Sequence, residues 1–187
     1  MKHFLFYIVL IFCGLNTQAQ INELGVFVGG TNYIGDVGPT DYIAPNEPSI
    51  GILYKWNRSP RHAYRFSYTQ GKLTARDIDS DVPSRYLRGN SFENSVKEFS
   101  AGLEFSFMDF DLHDSKTKVS PYVYSGVSYF IYDEIYIINK KSKVDYQSST
   151  FAIPMVAGLK ARLTEKIILG GEIGVRYTFT DNLDGSN

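Results

Sequence analysis

The sequence is poor in the features that mark several common classes of protein. Its single cysteine, Cys13, lies in a segment that we expect to be removed, so no disulfide or thiol chemistry is expected afterwards. Nineteen basic and 20 acidic residues leave a net charge of −1, which offers no basic surface to nucleic acid. Neither a Gly-rich phosphate loop nor a zinc-ligand spacing occurs, so we expect no cofactor and no metal site.

Residues 1–19 have the organisation of a secretory signal peptide. A short basic start precedes an apolar run at 4–15, which is too short to span a membrane as a helix of about 20 residues. Small residues follow in the Thr-Gln-Ala stretch at 17–19. We therefore predict an exported envelope protein whose mature chain starts near Gln20 and forms one domain over 20–187.

Apolar and polar residues alternate along the rest of the chain, and no helical repeat is present. In the segment 167–179, one face carries Ile, Leu, Gly, Ile, Val, Tyr and Phe, whereas the other carries Glu172 and Arg176. A period of two residues is typical of a strand with one apolar face. The pattern predicts seven strands in an all-β, antiparallel fold, at 23–29, 50–56, 64–69, 98–107, 122–129, 151–163 and 167–179.

The connections between these segments alternate in length. Those at 57–62, 108–120 and 164–166 are short or moderate, and those at 31–49, 73–96 and 133–150 are longer. Short turns on one side and long loops on the other are typical of an up-and-down transmembrane barrel with a periplasmic N-terminus. Strand length, aromatic residues near strand ends and a polar face rich in Gly and Ser also favour a barrel. A soluble sandwich, with the same apolar face in a core, stays open.

In a barrel, nine charged side chains would point into the lumen. About eight strands enclose an interior that side chains just fill, so these charges should pair with one another and plug the lumen. A selectivity lining is the alternative, and in a sandwich the same residues would be solvated. The nine residues are Glu23, Lys55, Arg65, Glu98, Glu104, Lys160, Arg162, Glu172 and Arg176.

Catalytic chemistry has little support in the sequence. His62 and His113 are the histidines outside the signal segment, and both lie in predicted turns, so we interpret them as surface residues. The acids at 77–81 are spaced as in a calcium loop, but Val82 and Arg88 stand where that loop needs Gly and Glu. We predict a solvated loop there, no enzymatic activity and no small-molecule substrate.

Four segments resemble a family of small outer-membrane barrels that includes PorG, a component of the type IX secretion system. They are ELGVFVGGTNYIGDVG at 23–38, RYLRGNSFENSVKEFSAGLEFSF at 85–107, PYVYSGVSYF at 121–130 and GGEIGVRYTFTDNLD at 170–184. The resemblance implies an eight-stranded barrel at the periplasmic ring of this secretion and gliding machinery, which contains a lipoprotein. Seven strands are visible here, whereas the family has a further closing strand. We expect truncation at the C-terminus, and a barrel that is open or completed by another chain stays as the alternative.

Three functions follow as hypotheses. The first is a non-enzymatic barrel in the outer membrane that serves type IX protein secretion and contacts the ring lipoprotein through its periplasmic turns. The second is a small porin-like channel. The third is a soluble periplasmic binding module, which would require the sandwich.

Overall fold

The computed structural model describes residues 22–41, 43–111, 119–138, 141–180 and 183, so the predicted signal peptide lies outside the described residues. Within these ranges the chain is almost entirely strand, and no helix is both long and apolar enough to cross a membrane. One 3₁₀ turn, Asp77–Asp79, and one short helix, α1 at Pro83–Arg88, lie between the third and fourth strands. The strands are β1 (Asn22–Thr31), β2 (Glu47–Asn57), β3 (His62–Arg76), β4 (Ser91–Ser106), β5 (Val119–Ile138), β6 (Lys141–Arg162) and β7 (Ile168–Thr178).

All seven strands belong to one sheet in the order of the chain, and each sequential pair is antiparallel. The sheet curls into a half-barrel, in which β1 and β7 are not paired with each other over the described residues. This confirms the predicted all-β, up-and-down antiparallel architecture. The connections at 58–61 and 163–167 define a turn end, and those after β1, β3 and β5 define a loop end.

The two faces of the sheet are inverted relative to a soluble protein. Leu159 and Ile173 point outward and are 52% and 65% exposed, whereas Arg65 and Glu104 point inward and are 2% and 0% exposed. The same alternation runs along the strands because successive side chains point to opposite faces. The apolar face therefore does not enter a shared core. The sandwich alternative, which requires such a core, is wrong.

A pair of glycines accompanies the curvature at the centre of the sheet. Gly102 of β4 and Gly126 of β5 lie opposite each other in register, on the inner face. A Cβ atom added to Gly102 would lie 2.2 Å from the carbonyl oxygen of Ser125 and 2.8 Å from Cα of Gly126. The two backbones can approach this closely because neither residue carries a side chain.

The strands extend much further into the loop end than the sequence predicted. The predicted loop at 73–96 contains the end of β3 and the start of β4, and the predicted loop at 133–150 is largely a hairpin of β5 and β6. These stretches are polar on the outer face, so apolar alternation did not mark them. Backbone pairing continues there regardless, interrupted by an irregularity between Glu134 and Ile135.

Two small apolar clusters lie inside the loop end of the half-barrel. One joins Val96, Phe130, Tyr132, Ala152 and Leu183. The other joins Val37 of the β1–β2 connection to three strand residues, with Tyr33 and Leu73 packed against both clusters. Those three are Ala75, Phe92 and Ile135. The connections thus pack onto the strands and cover this end.

Candidate functional site

The centre of the inner face is an ionic cluster built around Glu104 of β4. Its carboxylate lies 2.7 Å from the Lys55 ammonium and accepts a hydrogen bond of 2.9 Å from Lys160. The Arg65 guanidinium lies 3.8 Å away. These partners come from β2, β6 and β3, because inward positions on neighbouring strands meet at the same level of the sheet. One fully buried acid therefore joins three other strands.

Arg65 connects this cluster to a second carboxylate on β7. It donates two hydrogen bonds, of 2.7 and 2.9 Å, to the two oxygens of Glu172. The Tyr122 hydroxyl donates a third, of 2.8 Å, to Glu172. The Arg65 guanidinium also lies 4.8 Å from the ring centroid of Tyr124. Such bidentate, charge-assisted pairing fixes the geometry as well as the charge balance.

A separate pair lies nearer the loop end. Arg176 donates to Glu98 over 3.2 Å, and the Ser128 hydroxyl donates to the same carboxylate over 2.7 Å. The Glu98 side chain is 6% exposed, whereas the side chain of Arg176, on the edge strand β7, is 32% exposed. The structure thus brings seven of the nine predicted lumen charges together in two ionic groups.

The remaining two predicted residues face inward but are placed differently. Glu23 lies opposite Lys55 in register, yet it accepts a hydrogen bond of 2.7 Å from Asn57 while Lys55 contacts Glu104. Arg162 is buried at the turn end, where it donates to the backbone carbonyl of Asp111 over 2.7 Å. The sequence predicted their direction but not these partners.

At the turn end, Phe110 covers the interior. Its ring is buried and lies 4.7 Å from the Lys160 ammonium and 5.7 Å from the Arg162 guanidinium. The backbone N–H of Phe110 donates to the carbonyl of Pro60 over 2.9 Å, which ties the β4–β5 connection to the β2–β3 turn. An aromatic ring thus lies across this end, in contact with two lumen cations.

At the loop end, Asp77 fastens two connections together, and sequence reasoning missed it. Its fully buried carboxylate accepts hydrogen bonds from the Arg88 side chain and from the backbone N–H groups of Gly38 and Asn90. Arg85 donates to the carbonyl of Gly38 over 2.9 Å. We call this unit, formed by residues 36–38 and 77–90, the cap. The predicted solvated loop is wrong for Asp77.

The charge of Asp77 is stabilised by these contacts. Burial opposes ionisation, but the hydrogen bonds from Arg88, Gly38 and Asn90 outweigh it and hold the pKa of this carboxyl below its ordinary value. The sequence does contain Asp77, a later basic residue, Arg88, and a glycine, Gly89. In the structure this glycine adopts the left-handed conformation that ends α1. That signal does not identify the partner loop.

The outer face carries aromatic side chains whose polar ends point away from its middle. Near the loop end, the Tyr129 hydroxyl hydrogen-bonds to the Ser149 hydroxyl over 2.8 Å. Near the turn end, the Tyr54 hydroxyl donates to Asn22 over 2.6 Å, in the opposite direction along the sheet. Most of the other outward residues of these strands are apolar and exposed. The exterior therefore has an apolar band with polar margins.

The side chains of the inner face fill the half-barrel and link its strands through ion pairs. Its carboxylates are paired with Lys or Arg, or hydrogen-bonded to an amide. A hydroxyl–imidazole contact, 3.1 Å between Ser59 and His62, lies in the exposed β2–β3 turn and not on this face. No group of His, Cys, Asp or Glu residues within the ranges described is arranged to hold a metal ion.

No curated protein and no solved structure significantly matches the chain. One family model does, that of a domain of unknown function, DUF6089, which aligns with residues 2–187. That match covers nearly the whole sequence, including the strands, the cap and the ionic cluster. The chain is therefore a member of the DUF6089 family.

Proposed function

We propose that the protein is a non-enzymatic β-barrel of the outer membrane, sealed internally, that serves as a structural component of the type IX secretion machinery. The observation that carries the membrane assignment is the inverted polarity of the sheet, with an ionic interior and an apolar exterior. Exposed apolar residues in this number would be a severe liability in water, and hydrocarbon is the solvent that suits them.

The orientation of the tyrosines supports the same placement. Amphipathic rings at membrane interfaces keep their apolar bodies toward hydrocarbon and their polar tips toward water. The opposed hydroxyls of Tyr129 and Tyr54 match the two margins of such a band. Since outer-membrane barrels have short periplasmic turns and longer external loops, we place the turn end in the periplasm and the cap at the exterior.

The role in secretion rests on the resemblance of four segments to the PorG-like barrels, and the turn end offers a surface for it. The connection at 58–61 and residues 106–111, at the end of β4 and beyond it, form one unit. The Arg61 side chain pairs with Asp109, and the Arg61 backbone carbonyl accepts a hydrogen bond from the backbone N–H of Ser106. Arg58 stacks on Trp56, with 5.0 Å between the guanidinium and the ring. We expect this unit to contact the periplasmic ring lipoprotein.

Fractionation and pull-down test the two parts separately. The tagged protein should sediment with outer membranes and resist extraction by salt, and the ring lipoprotein should be recovered with it after mild solubilisation. Replacing Arg58 and Arg61 by Glu should abolish recovery of the ring, whereas Lys143→Glu at the loop end should not. A soluble periplasmic protein would refute the membrane assignment. Absence of the ring, with intact secretion in a deletion strain, would refute the secretion role.

A small-solute channel is less well supported, because Phe110, the ionic cluster and the cap all occupy the route through the half-barrel. We expect no steady conductance in planar bilayers. Discrete single-channel openings at neutral pH would favour the channel over a sealed structural barrel.

A further inference from the structure

The ionic cluster around Glu104 contains one more cation than it has acids. Lys55 and Lys160 both contact Glu104, and Arg65 contacts Glu104 and Glu172. Each of the three cations is 6% exposed or less. An excess charge that is shielded from water in this way is costly unless a counter-ion neutralises it.

Arg65 also has a donor that no group in the described ranges accepts. Its two terminal nitrogens donate to Glu172, whereas its Nε is buried and has no hydrogen-bond acceptor there. The Tyr124 ring lies 4.8 Å from the guanidinium and attracts it, but a ring carries no net charge. Oε2 of Glu104 also has no hydrogen-bond donor in those ranges, but it lies 2.7 Å from the Lys55 ammonium and is neutralised by it. The unmet requirement at Arg65 is therefore for an acceptor with negative charge.

The inner face has little side-chain volume beside Arg65. The residue opposite Arg65 on β4 is Gly102, and the residue opposite Gly102 on β5 is Gly126. Neither residue has a side chain to fill the lumen at this level. Lys55 stands opposite Arg65 on the other side, in β2. One row across the sheet thus places two cations next to two glycines.

We propose that the interior binds one small monovalent anion, such as chloride, which accepts a hydrogen bond from Nε of Arg65. An excess of one positive charge matches a single negative charge, and the position between the glycine pair and the Tyr124 ring suits an ion of halide size. Lys55, in the same row, supplies the second cation. The inference goes beyond the proposed function and is independent of what surrounds the outer face, since the residues concerned all point inward.

Unfolding in non-ionic detergent tests the site, with chloride replacing gluconate at constant ionic strength and Trp56 fluorescence as the signal. Gluconate is too large for the site. An anion that binds only the folded state lowers the unfolding equilibrium constant, and one site gives a tenfold decrease for each tenfold rise in chloride above saturation. Crystals that contain bromide should show an anomalous peak in contact with Arg65 Nε.

Three variants define the determinants of binding. Lys55→Met leaves two cations for two acids and should abolish the chloride dependence. Arg65→Lys keeps the charge but lacks Nε, so chloride affinity should fall by about tenfold or more. The matched control, Lys72→Met, removes an exposed cation that pairs with Glu93 and should leave the dependence unchanged. If Arg65→Lys does not fold, Lys55→Met and the bromide position still decide.

Several outcomes would overturn the proposal. Equal stability in chloride and gluconate would show that water satisfies Arg65 Nε. A full chloride dependence in Lys55→Met, or bromide bound only at other places, would assign the effect to a different site. Failure of the membrane location is distinguishable, since the protein would then stay monodisperse without detergent. The chloride dependence would be measured in plain buffer in the same way.

Discussion

Glu104 and Asp77 are both fully buried carboxylates, but they connect different numbers of structural elements. Glu104 contacts side chains from three other strands, β2, β3 and β6. Asp77 contacts Arg88 and Asn90 within its own connection, and Gly38 from one other. The difference indicates that the ionic cluster stabilises the whole sheet, whereas the cap can open alone, as locally stabilised units do.

Breaking the cluster should produce the largest effect. Glu104→Gln leaves Lys55, Lys160 and Arg65 without the acid that they share, so we expect a loss of about 3–5 kcal/mol in the free energy of unfolding. Denaturant unfolding in micelles, followed by the fluorescence of the single tryptophan, Trp56, measures it. The control Glu93→Gln breaks an exposed pair and should cost less than about 1 kcal/mol. Equal effects of the two variants would contradict a cluster that supports the sheet.

The outer face should respond next most strongly. Met155→Arg places a charge on an exposed apolar position of β6, where lipid contact predicts a loss of about 2–4 kcal/mol. In water the same exposed substitution would cost no more than about 0.5 kcal/mol. Unfolding from phospholipid vesicles distinguishes the two. Gln147→Arg, farther along the same strand and outside the apolar band, should be almost neutral, and a neutral Met155→Arg would argue against lipid at this face.

Breaking the cap should have a smaller and local effect. Asp77→Asn removes the charge that Arg88 contacts, and a hydrogen bond to a charged group contributes about 1.5–3 kcal/mol. We expect faster hydrogen exchange in residues 36–38 and 77–90, with much less change in global unfolding than for Glu104→Gln. Asp79→Asn disrupts only an exposed pair with Arg76 and serves as the control. Uniformly faster exchange across β5 and β6 would show that the cap is not a separate unit.

The same contrast explains what could be predicted from the sequence. Alternation with a period of two placed Glu104, Lys55 and Lys160 on one face, because strand geometry allows no other arrangement once the apolar face is known. It could not state which acid meets which base. That pairing depends on the register between strands, and Glu23 shows the consequence, since it faces Lys55 in register but bonds to Asn57.

The cap lay beyond such reasoning. Asp77 stands in a stretch rich in acids, which composition alone assigns to solvent. Its carboxylate is instead buried among hydrogen-bond donors, one of which, the N–H of Gly38, comes from a distant part of the chain. The length of β5 and β6 was missed for a related reason. Where the outer face turns polar, the apolar signal stops, but the backbone hydrogen bonds that define a strand do not.

Of the four perturbations, acid pH should have the smallest effect, which is to open the cap while the sheet stays folded. Because the pKa of Asp77 is lowered in the folded protein, its carboxylate contributes stability above the ordinary aspartate value, near about 3.9, and that contribution declines as the pH falls toward the folded pKa. Arg88 faces this carboxylate, and Arg85 faces the carbonyl of Gly38 in its partner loop. Hydrogen exchange of residues 77–90, corrected for the intrinsic rate, should be constant from about pH 7 to 5 and accelerate below about pH 4. Asp77→Asn should remove the pH dependence, since an amide does not titrate, and parallel profiles for the two proteins would assign the acid response to another group.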